Sequence, residues 1–447
     1  MNQISTKPPS GMRDFLAPDV ARRRHVIGVI ERVYESFGFV PLETPAIENL
    51  STLLGKYGPE GDQLLYRLLH RRERLARALE SGKPAELDLS DEGLRYDLTV
   101  PLARVVANSR ELPAYYKRYQ IQPVWRADRP AKGRFREFWQ CDVDVTGTTS
   151  RVADAEVCGA VATVLEELGF AEFEIHLNHR ELLRALVAEA GLSPEQEGPA
   201  LVALDKLDKV GLDGVRQELV EKGIAAERAA ELLSRLEAAR APGFLESCAK
   251  ESAKPGAAAA AELVELLAIT KGNPAANHLV FDPTLARGLS YYTGPIFEIT
   301  VPGLAGSLGG GGRYDALIGM FTKRQIPAVG FSLGLERILF VMEERGMFDA
   351  EKVQVGPQLL LCRFADVPAA EAVRIATELR RAGLRVELFA DAPALGKQIA
   401  YADSIGAPFV AILGGNELAQ HALTLKRLST GEQKTLPMAE VAGFVRL

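Results

Sequence analysis

Cysteine is scarce in this chain. Its four copies, Cys141, Cys158, Cys248 and Cys362, are scattered, with no C-x-x-C spacing among them. That pattern argues against a structural zinc site or a disulfide framework and fits a reducing cytosol. Long apolar runs are missing as well. No stretch of about 18 apolar residues offers a membrane helix, and the opening "MNQISTKPPSGMRDF" has no apolar core of the kind a signal peptide needs. A cytoplasmic protein without membrane association is expected. Neither common nucleotide motif is present: "SLGGGGRYDAL" is glycine-rich but lacks the G-K-[ST] of a P-loop, and no G-x-G-x-x-G stands between strand and helix. Of six histidines, His176 and His179 are three apart, but the nearby Glu174 and Glu181 complete no metal motif, so no metal site is expected. No Ser/His/Asp set stands out.

What is present describes an ordinary globular protein. At 447 residues the chain has room for two or three domains, each with its own core. A charged fraction of 25% and a hydrophobic fraction of 47% are typical values. A formal net charge of −6 argues against wholesale coating of nucleic acid and leaves room for a local basic patch.

Hydrophobic periodicity divides the chain. Val20 to Phe39 has helical spacing, and "VPLETPAIENL" follows as a strand-like run. "EGLRYDLTVPLARVVANS" reads as a strand entering a helix, and "YYKRYQIQPVWRA" and "FREFWQCDVDVTG" as an antiparallel pair joined by "DRPAKGR". From about 181 to 268 the composition turns to Ala, Leu, Glu and Lys at helical period, which predicts a helical insertion. Strand-like, glycine-rich sequence then returns. From about 355 to 447, short apolar strands alternate with helix-like segments, which predicts a small, mostly parallel α/β domain.

The segment Lys117 to Gln140 concentrates charge: Lys117, Arg118, Arg126, Arg129, Lys132, Arg134 and Arg136 against Asp128 and Glu137, a net of +5. Strand alternation would place Arg134, Arg136 and Phe138 on one face and Phe135 and Trp139 on the other. A guanidinium on a rigid strand suits phosphate oxygens, because its fork donates two parallel hydrogen bonds; an aromatic beside it can support a nucleobase. An exposed, solvated basic hairpin is the plainer reading of the same pattern. "FSLGLERILF" puts Glu336 and Arg337 in the first turn of a helix, where a cation opposes the dipole and hints at a role beyond stability. In "LARGLSYYTG", which carries Arg287, Tyr291 and Tyr292 are by themselves read first as core aromatics.

Taken in order, these segments resemble the class II aminoacyl-tRNA synthetases, and within them the histidyl-tRNA synthetases. "ESFGFVPLETPAIE", with Pro45, resembles the dimer-forming motif 1; "VWRADRPAKGRFREF" resembles motif 2 and "VGFSLGLERIL" motif 3. "LARGLSYYTG" and "GGGGRYD" resemble the two histidyl signatures, and the likeness extends through "ALDKLDKVG" and "LGKQIAYADSIG". The resemblance implies an α+β catalytic domain on an antiparallel sheet over 1–348, carrying the helical insertion, and a C-terminal anticodon-binding-like α/β domain over 355–447. It implies ATP-dependent activation of L-histidine to histidyl-adenylate, with Mg²⁺, and transfer to the 3′ end of tRNA(His) by a homodimer. By residue, Arg126 and Arg287 would hold the α-phosphate as the catalytic arginines, and Phe138 would stack on adenine. Arg337 would meet the ATP tail, with Asp128 near the adenine. Asp97, Leu98, Thr99, Gln140, Asp144, Tyr291 and Tyr292 would form the histidine pocket. Arg129 and Lys132 are candidates for the tRNA.

Two positions depart from the family pattern: Ser290 where Asp is usual, and Asp128 where motif 2 commonly has Glu. The main alternative is a catalytically inactive paralogue acting as a regulatory subunit of ATP phosphoribosyltransferase. That paralogue generally lacks the C-terminal α/β domain and the full histidyl signatures, both of which are matched here. A synthetase for another amino acid of the subclass would keep the phosphate ligands but not "RGLSYY" with "GGGGRYD".

Overall fold

The structure, a computed structural model, describes residues 4–80, 82–286, 291–304, 306–349, 353 and 355–446. The chain forms two compact units, one from residues up to 14 together with 23–348, the other from 15–22 together with 349 onward.

Eleven strands belong to the first unit. In chain order they are β1 (Val40–Pro41), β2 (Ile47–Asn49), β3 (Arg67–Leu68), β4 (Glu92–Leu94), β5 (Tyr116–Trp125), β6 (Glu137–Thr146), β7 (Glu174–His179), β8 (Leu279–Phe281), β9 (Pro295–Thr300), β10 (Gly309–Arg313) and β11 (Ala328–Gly334). Eight of them make one sheet in the order β1-β5-β6-β11-β10-β9-β7-β8, and β2-β4-β3 make a small one. Every interior pair of the large sheet is antiparallel; only the edge pairs β1–β5 and β7–β8 are parallel. The expected antiparallel catalytic sheet is therefore observed.

Alternation along β6 decides where the core sits. Cys141, Val143 and Val145 are fully buried on one face, packed with Phe331 and Leu333 of β11 and with Val157, Val161 and Val164 of the helix Arg151–Glu167. Gln140, Asp142 and Asp144 therefore face the other way. The link between β5 and β6 differs from the sequence reading. Strand β6 starts only at Glu137, so Arg134, Phe135 and Arg136 precede it and do not share its alternation. A second, tight reversal intervenes, with Ala131 bridged to Arg134 and Gly133 at φ +73°.

Helices follow one another from Arg180–Glu189 to Ala257–Thr270; those up to Ala226–Ala238 surround a separate apolar cluster that includes Leu183, Leu204, Leu219, Leu232 and Leu236, whereas Ala257–Thr270 packs Ala260, Leu263 and Leu266 into the main core. The helix Leu335–Glu344 places Glu336 and Arg337 in its first turn, as expected. Glu336 is buried; it accepts from Arg23 Nη1 and from the Trp139 main-chain N–H, both at 2.8 Å, and so ties β6 to this helix.

The second unit contains β12 (Leu359–Arg363), β13 (Val386–Leu388), β14 (Phe409–Leu413), β15 (Ala422–Arg427) and β16 (Gln433–Pro437), in the order β13-β12-β14-β15-β16. Strands β13, β12 and β14 are parallel, and β15 runs against both its neighbours, so four of the five strands point one way. Leu359 and Leu361 pack with the helix Ala369–Arg381, while Leu360 and Cys362 face the helix Leu395–Ser404. Both faces of β12 are thus apolar, as a parallel strand covered on two sides requires. Among the described residues, no helix is long and apolar enough to cross a membrane.

One buried ion pair secures the far end of β10. Arg313, 1% exposed, donates from Nη2 to Asp154 Oδ2 at 2.5 Å, from Nε to Oδ1 at 3.2 Å, and from Nη1 to the Thr148 carbonyl at 2.8 Å. Replacement Arg313→Met strips the buried Asp154 of its main cationic partner and leaves Arg151, at 3.5 Å, as the nearest cation recorded. The expected cost is about 3 kcal/mol, the scale for removing one partner of a buried pair. Urea unfolding followed through the fluorescence of Trp125 and Trp139, both in this unit, reads it; an unchanged midpoint contradicts it.

Candidate active site

The floor of the site is the polar face of the central strands. Directly paired residues share a face. The register therefore sets Arg118, Gln120 and Gln122 of β5 beside Asp144, Asp142 and Gln140 of β6, and these beside Gly330, Ser332 and Gly334 of β11. Gly312 and Gly310 of β10 continue the floor without side chains. Arg118, fully buried, meets Asp144 at 2.8 Å and Asp142 at 3.9 Å. The Tyr314 hydroxyl donates to Asp144 Oδ1 at 2.5 Å. Gly330 is required here, because a Cβ at that position would collide with the Asp144 carboxylate.

Two acceptors on this floor have neither a hydrogen-bond nor an ion-pair partner among the described residues, Gln140 Oε1 and Asp142 Oδ1; Asp144 Oδ2, also without a hydrogen bond, is met by Arg118 Nη2 at 2.8 Å. Gln140 uses its amide nitrogen on Ser332 Oγ at 2.6 Å. Burial pushes Asp142 up to about 7; Arg118 opposes the shift and the neighbouring Asp144 adds to it. Asp144 is raised for the same first reason. A buried acceptor left open costs about 1–3 kcal/mol, so this pair of atoms is poised for a donor, and a cationic donor suits it best.

A wall rises from the loop after β4. Asp97, 1% exposed, accepts from the Tyr57 hydroxyl at 3.1 Å, the Tyr291 hydroxyl at 3.0 Å and the Val100 N–H at 3.1 Å. Burial raises its pKa against those bonds and against Arg126, and its charge in turn pushes Asp142 and Asp144 up. Thr99 begins the helix Thr99–Asn108 and is hydrogen-bonded with Tyr291. Leu98 is different: its side chain is wholly buried, and it offers only its carbonyl, which accepts from Arg118 Nη2 at 3.3 Å. Tyr292 meets Tyr291 edge to face at 5.0 Å and lies over Gly312, where a Cβ would come within 2.8 Å of its ring. Tyr291 thus belongs to both readings that the sequence left open, an aromatic of the core whose hydroxyl reaches the site.

The basic end of the site centres on Arg126. Its Nε donates to the Tyr96 carbonyl at 3.1 Å, and its guanidinium carbon lies 4.2 Å from the Tyr96 ring and 5.1 Å from the Phe138 ring. Asp128 is tied inside the loop, pairing with Arg134 at 2.9 Å while its carbonyl accepts from Arg136 Nε at 2.9 Å. Arg337 is half-buried and donates to the Ser307 carbonyl. Lys132 is exposed and bonded to Glu344 at 3.0 Å; Arg129 is exposed, with no side-chain partner among the described residues. Arg287 and Ser290 lie outside the described residues.

The structure therefore brings Asp97, Thr99, Gln140, Asp144, Tyr291 and Tyr292 together, with Arg126 and Phe138 adjoining. Sequence reasoning missed Arg118, Ser332 and Tyr57 and did not count Asp142 among the site residues. The period-two row Gln140, Asp142, Asp144 held the signal for Asp142; nothing in "GKYGPEG" marks Tyr57. Chemically, the floor suits an ammonium group, the phenols suit a polar ring, and Arg126 with Phe138 suits a phosphate beside a flat base.

The shift at Asp142 has a consequence for stability. A carboxyl with a higher pKa in the folded chain keeps a proton that the unfolded chain releases, so stability is lost as pH rises from the ordinary value of 3.8 towards about 7. Asp142→Asn removes that loss. In the unliganded protein, the melting temperature of the variant relative to wild type should climb between pH 4.5 and 7.5 and then level off. A difference that is constant across this window contradicts the assignment.

Comparison with known proteins gives a consistent picture. Residues 86–338 match the profile of a family described as Histidyl-tRNA synthetase, and 362–446 match that of the Anticodon binding domain. A curated histidine–tRNA ligase of Porphyromonas gingivalis is 41% identical over 98% of this chain and 98% of its own. One of Christiangramia forsetii is 40% identical over 99% and 100%. The solved histidyl-tRNA synthetase from Nostoc sp. PCC 7120 superposes with a TM-score of 0.80, at 29% identity over 99% of both chains. A Bacillus halodurans chain described as an ATP phosphoribosyltransferase regulatory subunit/histidyl-tRNA synthetase shares the fold, with a TM-score of 0.73 at 23% identity over 93% of this chain and 100% of that one. On this evidence the chain belongs to the histidyl-tRNA synthetase family.

Proposed function

We propose that this chain activates L-histidine with ATP to histidyl-adenylate, releasing pyrophosphate, and then transfers the histidyl group to the 3′ end of tRNA(His), releasing AMP. The observation that carries the reading at the site is the open pair of buried acceptors, Gln140 Oε1 and Asp142 Oδ1, beside Asp144. An α-ammonium group supplies the donors they lack. The Tyr291 hydroxyl donates to Asp97 and is also hydrogen-bonded with Thr99, and its oxygen keeps one further acceptor position for an imidazole N–H. A pocket that pairs the ring nitrogens rejects apolar analogues by roughly 10⁴ or more, because its own polar groups would be stranded.

In the first step, a histidine carboxylate oxygen attacks the α-phosphorus of ATP in line, and the bond to the pyrophosphate oxygen breaks. Charge builds on the equatorial oxygens. Arg126, fixed through Nε by the Tyr96 carbonyl, holds its terminal nitrogens towards them, and Phe138 supports the adenine. Arg287, outside the described residues, takes the second guanidinium role, and Arg337 meets the ATP tail. Among the described residues no three His, Cys, Asp or Glu side chains could hold a metal ion. Mg²⁺, when bound, would be held largely by phosphate oxygens and water and would screen their charge.

Arg129 is the better placed tRNA contact of the two candidates, since Lys132 is engaged by Glu344. The C-terminal unit serves the anticodon, and the enzyme works as a cytoplasmic homodimer. No specific observation favours the regulatory alternative.

ATP–pyrophosphate exchange with each of the twenty amino acids tests the activation step. Histidine alone should support exchange, and Arg126→Ala should lower kcat/KM by about 10²–10³, the usual effect of losing one preorganised donor. Asp142→Asn should raise the KM for histidine roughly tenfold or more, on the scale of a lost hydrogen bond to a charged group. Exchange with no amino acid would move the weight to the regulatory reading. Sedimentation equilibrium should give twice the chain mass of 48.5 kDa; a stable, active monomer contradicts the dimer.

A further inference from the structure

The loop between β5 and β6, residues 126–136, is gripped from outside by a segment that the proposed chemistry does not use. Residues Pro9 to Met12 form a tight turn, with the Met12 N–H donating to the Pro9 carbonyl at 3.0 Å and Gly11 at φ +81°. A positive φ at the third position is the mark of a type II turn and calls for glycine. The Gly11 carbonyl accepts from the Arg136 main-chain N–H at 2.8 Å. The turn also lies against the Arg136 stem, since a Cβ on Gly11 would stand 2.8 Å from Arg136 Cγ. One residue further along, the Arg13 guanidinium carbon is 3.4 Å from the centre of the Phe135 ring.

These contacts converge on Arg136, which links the turn to the working end of the loop. The Arg136 carbonyl accepts from the Arg126 N–H at 3.0 Å, and its Nε donates to the Asp128 carbonyl at 2.9 Å. The loop carries Arg126, Arg129, Lys132, Arg134 and Arg136 against the single carboxylate of Asp128, so mutual repulsion tends to splay it. We infer that the Pro9–Arg13 turn is a positioning element for this loop, and that Gly11 and Arg13 hold the main chain of Arg126 and Asp128 where a nucleoside triphosphate is received. The inference rests on the reading of Arg126 as an ATP ligand. Neither Gly11 nor Arg13 needs to touch the nucleotide.

The test uses the full-length protein with Arg13→Ala, Arg13→Lys and Gly11→Ala, and combines two readouts. In hydrogen–deuterium exchange, Arg13→Ala should speed exchange of loop amides 126–136 severalfold while the melting temperature and the amides of β10 and β11 stay as in wild type. In ATP–pyrophosphate exchange, the same variant should raise the KM for ATP by roughly three- to tenfold, with kcat within about twofold. Arg13→Lys, which keeps a cation over the ring, should recover part of both effects. Gly11→Ala should act more strongly, because a side chain there is strained and meets Arg136. Wild-type loop protection together with a wild-type KM in Arg13→Ala overturns the inference. So does a lowered melting temperature with a uniform loss of kcat, which marks a merely structural role. If wild type catalyses no exchange at all, the ATP reading fails, and the loop amides still show whether the turn holds the loop.

Discussion

Arg118 sits near the start of β5 with no solvent exposure, and its guanidinium faces two carboxylates, Asp144 at 2.8 Å and Asp142 at 3.9 Å. Removing two acids and one base from water costs several kcal/mol for each ion. The arrangement is tolerated because the same guanidinium also donates to Gln120 and to the Leu98 carbonyl, while Tyr314 serves Asp144. With both carboxylates ionised the net charge of this trio is negative, and burial, which disfavours that state, pushes Asp142 and Asp144 up. A sheet with a buried surplus of negative charge is an unfinished structure, and the missing positive charge belongs to whatever enters. The floor is thus defined by a deficit built into three neighbouring strands.

A second buried arginine passes order outward from that floor. Arg95 donates to the Thr44 and Pro45 carbonyls, to Gln122 Oε1 and to the Pro123 carbonyl, and burial pulls its pKa down to about 10. Each of these acceptors is neutral, and Glu48, Glu43 and Asp142 act on the guanidinium only through their charge, without a hydrogen bond. Its neighbours in sequence, Tyr96 and Asp97, are the residues that support Arg126 and Tyr291. The segment around Pro45 and the two ends of the site are therefore connected through one planar group.

How far the sequence reveals this depends on whether the partners are local. The alternation of "QCDVDV" is enough to place Gln140, Asp142 and Asp144 on a face opposite Cys141, Val143 and Val145, and the structure agrees. Arg118 and Gln120 alternate just as regularly, but their role follows only from the register of β5 on β6, which no single strand encodes. Tyr57 comes from a segment remote in sequence, and its approach to Asp97 is a product of tertiary packing. The misplacement of Arg134 and Arg136 has a local cause. Strand alternation extended back to Arg134 reaches three residues before β6 begins, where the chain is still in the tight reversal bridged between Ala131 and Arg134. Lys132 shows a further limit, because a residue read for its charge proves to be engaged by Glu344, far along the chain. The α/β pattern of the C-terminal unit was legible throughout, because parallel strands buried on both faces are continuous apolar runs.

The bare floor formed by Gly310, Gly312 and Gly330 limits how this pocket can be redesigned. At Gly330 a methyl group would displace the Asp144 carboxylate, and at Gly312 it would press into the Tyr292 ring. If the pocket takes histidine as proposed, admitting ring-substituted analogues cannot proceed by sculpting the sheet at Gly312 or Gly330, since an added atom there displaces Tyr292 or Asp144 before it contacts the newcomer. Space has to come from the movable side, by shortening Tyr291 or Tyr292. A library that randomises the glycines should return few functional clones, whereas one directed at the tyrosines can trade ring for ring.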